Sequence, residues 1–471
     1  MSERGSCVSR YEPIPTIPED GPLPSFCPDS PICPPPPAAQ GPRISFLDFW
    51  PRCLSPETDL SLAAFEHFDV LLPRANAWLR EGRTKLLKCE TIERKIWAID
   101  QLEKQVSDCK VDVPHNVDVV LYVKGLRLWY TESSNSSSHK QAYAPQVGYR
   151  NAIPKCIKSA PKDCTYEELG PMFVSLNEEL IEKPLEGPIL TIETVPVHVD
   201  RLTWEGPDVE VDRTAWPMTP KQHTFLFTRI YYLFQCPAYE QVGAADFLPD
   251  FMSEPLQKSG MPKYTALPFV MKKLNAWLRQ VKDIKVTNIQ SLEAAFPGKA
   301  ERIKTNTNFI QKADTMPLIR FLRVTYTRPK YGLPPGGLHI PRLITQKTFV
   351  PRILDSNDKE NSATTEDLKQ AANRITAWFK HIGNGVISME EAYHPLPLIL
   401  KRQDAGESTV LPGEWQPLMV ETINRKQSMQ PAPQLYLIRV FLEGQFQEPP
   451  ESAVEQSLSQ MEGGSKCCSL L

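Results

Sequence analysis

The pentapeptide Asn-Ala-Trp-Leu-Arg stands at 76–80 and again at 275–279. A third version, Thr-Ala-Trp-Phe-Lys, occupies 376–380, and a fainter one, Asn-Glu-Glu-Leu-Ile, 177–181. The aligned positions Trp78, Glu179, Trp277 and Trp378 are 101, 98 and 101 residues apart. A spacing held three times is the mark of an internal repeat, and it constrains the fold before any single residue does.

The flanks repeat in the same order. Upstream of each anchor lies an apolar stretch broken by one proline: Phe49–Leu54, Ala152–Ile157, Phe247–Met252 and Phe349–Leu354. Downstream come Leu86–Ile92, Ile189–Val195, Ile284–Gln290 and Val386–Ala392, then a β-like run holding Arg127, Arg229, Arg323 or Arg439. Before each anchor the apolar residues fall at helical spacing, as in Phe68, Leu71, Leu72, Ala75, Trp78 and Leu79; that is one stripe of an amphipathic helix. Thr165 with Glu168, and Thr364 with Asp367, have capping-box spacing. Gly82 and Gly383 mark helix ends. Pro73, Pro171 and Pro268 predict a late start or a kink. The arginine runs alternate with period two, as strands do.

Each unit therefore reads strand, helix, strand, strand. The expected fold is α+β: four tandem β-α-β-β units of about 100 residues, over 43–134, 145–236, 243–330 and 342–444, packed as two pseudo-symmetric pairs. The order resembles ferredoxin-like split β-α-β folds. Trp78, Trp277 and Trp378 are expected to fill the junction of helix and sheet. Glu90, Glu193 and Glu390 precede Arg127, Arg229 and Arg439, and cross-strand ion pairs are expected between them. In the third unit Asn288 breaks the series. An anionic-ligand pocket is the other reading of these arginines.

Forty-six prolines in 471 residues is about twice the usual share. Twelve fall within residues 1–42, expected to be an extended, disordered tail that an SH3 or WW domain could bind. Segments 131–141 and 356–367 read as polar loops, and 332–341 as a turn-rich loop. Residues 445–466 read as a solvated tether. The sequence as given closes on Cys468-Ser469-Leu470-Leu471 after Cys467. That is the form of a CaaX box, with geranylgeranylation expected at Cys468 and palmitoylation at Cys467 as a second membrane signal. These last residues resemble the tails of prenylated small GTPases. No phosphate-binding loop accompanies them, so GTPase activity is not implied.

Net charge is −3 with both signs interspersed, which argues against a nucleic-acid binder. No secretory signal or apolar run of membrane-spanning length is present, so reduced thiols and a cytosolic or nuclear setting are expected. The eleven cysteines and eight histidines fall into no metal motif, and no catalytic motif occurs. No catalytic residue, cofactor or metal is assigned. The leading expectation is a non-enzymatic, lipid-anchored scaffold or adaptor for other proteins, peripheral on the cytosolic face of a membrane. The alternatives are an enzyme or small-ligand sensor with a pocket between paired units, and a soluble scaffold with an unmodified C-terminus.

Overall fold

The structure, a computed structural model, describes residues 43–55, 63–81, 84–98, 110–111, 119–132, 144–158, 165–200, 209–218, 222–253, 263–295, 303–310, 318–330, 341, 343–357, 362–382, 385–395 and 434–467. The proline-rich segment 1–42, Gly82, Gly383, most of the 131–141 and 332–341 segments, and the closing tetrapeptide from Cys468 lie outside them.

The chain first forms β1 (Arg43–Phe49), α1 (Leu71–Glu81), β2 (Thr84–Ile96), β3 (Lys110–Val111) and β4 (Leu121–Glu132). Then come β5 (Val147–Ala152), the hairpin β6 (Cys156–Lys158) and β7 (Thr165–Tyr166), α2 (Leu169–Glu182), β8 (Ile189–Asp200), β9 (Ala215–Pro217) and β10 (Gln222–Leu233). The third stretch gives β11 (Glu240–Phe247), β12 (Phe251–Ser253), β13 (Lys263–Tyr264), α3 (Leu267–Leu278), β14 (Lys285–Ala295), β15 (Phe309–Ile310) and β16 (Leu318–Pro329). The fourth gives β17 (Ile344–Phe349), β18 (Ile353–Asn357), β19 (Ser362–Thr365), α4 (Leu368–Phe379), β20 (Val386–Pro395) and β21 (Gln434–Glu443). A last helix, α5 (Glu451–Cys467), follows. The fold is mixed α+β, rich in strands, with several small sheets.

The four larger sheets share one antiparallel order: β1-β4-β2, β5-β10-β8, β11-β16-β14 and β17-β21-β20. The prolines at 51, 154, 249 and 351 each stand two residues past the end of the first strand of a sheet, where a missing N–H costs no ladder bond. Pro73, Pro171 and Pro268 fall in the first turns of α1, α2 and α3. An N–H there has no intrahelical partner, so these prolines neither kink nor delay the helices. At α2 the expected Thr165 cap is not used; Glu168 is the N-cap, without a side-chain cap. At α4 the box is shifted too, with Asp367 as N-cap exchanging bonds with Gln370. Of the 356–367 segment, the described residues Ser356, Asn357 and Ser362–Thr365 are paired strand rather than loop.

The stretches do not pair off two by two. β2 packs beside β8, β8 beside β14, β14 beside β20, and β20 beside β2, which closes a circle. The apolar clusters cross each boundary. The α1 cluster takes in Val147 and Tyr231, that of α2 takes in Val242, that of α3 Ile344 and Phe441, and that of α4 Ile44 and Trp129. Short strands cross as well: β9 pairs with β4, β15 with β10, and β3 with β21.

The tryptophans sit where helix meets sheet. Trp78 lies 4.9 Å from the Tyr130 ring, Trp277 5.7 Å from Tyr326, and the buried Trp378 5.4 Å from Phe349. Gly148 and Gly243 make room for the cross-strand rings of Tyr232 and Tyr326, whose atoms a Cβ would meet at 2.3 and 2.5 Å.

Residues 445–467 are not a solvated tether. Phe446 packs its ring 5.0 Å from Trp378. Val454, Leu458 and Met461, spaced four and three apart, lay one apolar stripe of α5 on the α4 cluster. Arg352 bonds Glu455 and lies 3.3 Å from Glu451, while His381 stands 2.9 Å from Ser457. Among the described residues, no helix is long and apolar enough to cross a membrane.

Candidate functional site

Where β2, β8, β14 and β20 face one another, polar side chains form a closed circuit. The arginines Arg127, Arg229, Arg323 and Arg439 are buried in the central strand of each sheet, β4, β10, β16 and β21. Opposite them on β2, β8, β14 and β20 stand Glu90, Glu193, Gln290 and Glu390. On the first strands their partners in register are Asp48, Asn151, Asp246 and Thr348. In the third sheet the residue opposite the arginine is thus Gln290, not Asn288, which pairs with Thr325. Both residues point to the same face, so alternation alone does not separate them.

Each glutamate or glutamine reaches away from its own sheet and accepts a backbone N–H of the neighbouring one. Glu193 accepts from Thr91 at 3.0 Å, Gln290 from Thr194 at 2.8 Å, Glu390 from Ser291 at 2.7 Å, and Glu90 from Glu391 at 3.1 Å. The arginines cross the same boundaries. Arg229 donates to Thr91 at 3.2 Å, Arg323 to Thr194 at 3.1 Å, Arg127 to Glu391 at 2.5 Å, and Arg439 to Ser291. Of the three expected Arg–Glu pairs, only Arg439 and Glu390 bond directly, at 2.6 Å. Arg127 holds Asp48 in a two-bond fork, both 2.6 Å, and Glu90 takes the Trp129 indole N–H at 2.7 Å. Arg229 takes Asn151 and Asp212, both at 2.9 Å.

Burial sets the electrostatics. It pushes the carboxyls of Glu90 and Glu193 up, against the pull of Lys88 and Arg127 on Glu90 and of Thr91 and Arg229 on Glu193. Burial also acts on Glu391, but Arg127 and Arg94 outweigh it and hold that carboxyl down at about 2. For Arg439 burial lowers the guanidinium despite Glu390.

A second circuit runs at the helices. Asn76 exchanges two bonds with the backbone of Val147, at 2.9 and 2.8 Å. Asn177 does so with Val242 at 3.0 and 2.7 Å, and Asn275 with Ile344 at 2.9 and 2.7 Å. At the fourth helix Thr376 donates one bond, 2.7 Å, to the carbonyl of Ile44. The asparagine of the repeated pentapeptide is thus a clamp on the edge strand of the next sheet. The column was legible as 76, 177, 275 and 376; its role needed the neighbouring strand.

Beyond the arginine level, β2, β8, β14 and β20 and the arginine strands line a partly open cavity of about 230 Å³. Lys124, Glu93, His198, Arg320, Glu293 and Tyr436 are among its walls. Lys124 bonds the carbonyl of Pro196, lies 3.6 Å from Glu93, and stands 4.4 Å from the Trp216 ring. Burial pushes its ammonium down to about 8, with Glu93 opposing. His198 is 3.2 Å from Glu93, and Arg320 3.3 Å from Glu293. The cavity walls hold charges of both signs in close pairs. Neither Lys124 nor the linking residues Thr91, Gln290 and Glu391 carried a sequence signal, because their partners are far off in the chain: Pro196 is 72 residues from Lys124, Glu193 102 from Thr91, Thr194 96 from Gln290, and Arg127 264 from Glu391.

Among the described residues, no group of three His, Cys, Asp or Glu side chains is arranged to hold a metal ion. Cys467 is the last residue of α5, and Cys468 lies outside the described residues. No protein-family model, curated protein or solved structure matches the chain.

Proposed function

We propose that the chain is four copies of one β-α-β-β unit closed into a ring. It works as a non-enzymatic scaffold or adaptor, held at the cytosolic face of a membrane by a geranylgeranyl group on Cys468. The observation that carries the scaffold reading is the closed circuit of Glu193, Gln290, Glu390 and Glu90 on their neighbours' N–H groups. Groups that would serve chemistry elsewhere hold one unit to the next here. The cavity charges likewise pair with one another, Lys124 with Glu93 and Arg320 with Glu293. A ring braced at every junction is a rigid support for loops and hairpins on its rim.

The membrane part of the reading rests on Cys468-Ser469-Leu470-Leu471 and on Cys467 as a palmitoylation site. One prenyl chain gives only reversible binding, so a second contact is part of the reading. The test is cell fractionation of the wild-type chain beside Cys468→Ser, with and without a geranylgeranyltransferase inhibitor, and mass analysis of the C-terminal peptide. Wild type in the membrane fraction, released by both treatments, is the expected result. A soluble, unmodified wild-type chain would sink the tether and leave a soluble scaffold.

A further inference from the structure

The three most exposed large hydrophobic side chains among the described residues are Ile157 at 71%, Leu54 at 64% and Met252 at 64%. They are not scattered. Each is the third residue after the proline that ends the first strand of its sheet, at Pro51, Pro154 and Pro249. The residue after that proline is Arg52, Lys155 and Asp250 in the three, and Arg352 in the fourth. Three of four copies therefore read proline, cation, any residue, aliphatic.

Extended backbone puts the cation and the aliphatic side chain on one side. The residue between them faces the protein in the first two copies. Cys53 packs with Phe65, Ile96 and Val123, and Cys156 packs with Val195, Val197 and Trp216. Arg52 with Leu54, and Lys155 with Ile157, consequently point outward together. Lys158 is exposed beside Ile157. In the third copy Asp250 is neutralised by Lys273, and Phe251 and Phe269 are exposed as well, at 53% and 51%.

The four segments also share one end of the ring. Phe49, the last residue of β1, stands opposite Leu126, and the chain leaves the sheet beyond it. Thr91 to Lys95, which line the cavity, run toward that same end. In a ring with one unit per quarter turn, equivalent positions lie in one plane. A partner that meets all of them at once must be flat and need no side-chain register of its own. A bilayer is such a partner, and the cations Arg52 beside Leu54 and Lys155 beside Ile157 suit an anionic headgroup layer, into which their stems can snorkel.

We propose that this cavity-end face of the ring rests on an anionic lipid bilayer through Leu54, Ile157 and Met252, and so supplies the second contact that a prenyl tether requires. The inference rests on the ring and tether reading above, and its test uses the full chain without any lipid. The Cys468→Ser protein is sedimented with vesicles of phosphatidylcholine alone, or with about 30 mol% phosphatidylserine. Binding is expected only to the anionic vesicles and is expected to weaken in about 0.5 M salt. Adding Leu54→Ser, Ile157→Ser and Met252→Ser should lower partitioning by about tenfold or more. Thermal unfolding should stay unchanged, because all three side chains are exposed. Phe234→Ser with Tyr239→Ser, at the turn on the other end of the sheet, is expected to leave partitioning as it was.

No sedimentation with anionic vesicles overturns the proposal, as does an equal loss in the Phe234 and Tyr239 variant. A concentration-dependent dimer that the triple change abolishes, without vesicle binding, also overturns it and assigns the face to a second ring. Failure of the tether appears separately, as a wild-type chain that is soluble and unmodified in cells.

Discussion

The junction that joins the first sheet to the fourth and the junction between the second and third are built on one plan with opposite materials. At the first, Glu391 is an ionised cross-piece between Arg127 and Arg94, with Asp48 on the other side of Arg127. At the other, neutral groups stand where the Glu391 carboxylate stands at the first, although Arg323, Lys285 and Glu240 also cross, to the Thr194 hydroxyl, the Ile189 carbonyl and the Ile189 N–H. Gln290 accepts from Thr194, Asn288 donates to the Ile192 carbonyl at 3.1 Å, and Thr325 donates to the same carbonyl at 2.8 Å. The helix braces differ in the opposite sense: Thr376 gives the ionic junction one bond, and Asn177 gives the neutral one two. The circuit requires a pattern of donors and acceptors, not a particular charge. Buried ions are strong only while every partner is present, whereas neutral groups lose less when one is removed.

Truncation sharpens this contrast most. Arg127→Ala leaves Asp48 and Glu391 buried with one cation fewer between them, and should cost about 3–5 kcal/mol in urea unfolding. Gln290→Ala leaves the Thr194 N–H without its acceptor and should cost about 1–3 kcal/mol. Equal losses at the two sites would show that ionisation is irrelevant to the junction, and the comparison would break.

Acid is the next lever. Glu391 has its folded-state value down at about 2 against an ordinary 4.5. A depressed carboxyl stabilises fully above its unfolded value and loses that contribution as pH falls toward the folded one. The group therefore supports the fold above about 4.5 and should lose about 3 kcal/mol between there and about 2. Glu193 and Glu90 are shifted upward by burial, so their share of stability declines as pH rises above 4.5 and partly offsets the acid loss. Unfolding free energy measured from pH 6 to about 2.5 should fall less steeply in Glu391→Gln than in wild type. Parallel profiles would mean Glu391 is not held as an anion.

The helices, the arginine strands and the succession strand, helix, strand, strand were legible because they depend on local periodicity. The 454, 458, 461 stripe of α5 was equally local, but its low apolar content and glutamates read as solvated chain. What was hidden depends on register and closure. Asn288 and Gln290 share a strand face, and only the pairing of Gln290 with Arg323 decides between them. The expected Arg–Glu pairs rested on correct strand positions. Yet Glu193 bonds Thr91, 102 residues away, and Glu90, besides Trp129 of its own sheet, bonds Glu391, 301 residues away; both long-range partners lie on adjacent sheets. A period in the sequence says that units are alike; it does not say which atoms of one reach the next.

The smallest expected effect tests the other half of the contrast. Val147, Val242 and Ile344 each offer an outward N–H and C=O to a helix asparagine, and Ile44 occupies the same place on β1. Thr376 answers with a hydroxyl, which donates to the Ile44 carbonyl. Asparagine has nearly the volume of threonine, so Thr376→Asn should fit the buried site without overpacking and allow a second bond, from the Ile44 N–H to the amide oxygen. One added buried bond is worth about 0.5–1.5 kcal/mol, and asparagine and threonine differ little in helix propensity. The urea midpoint should rise by that amount, with an unchanged slope. A loss of stability would mean that the ionic junction holds α4 and β1 at a separation the amide clamp does not fit, so that the two junctions differ in geometry as well as in charge.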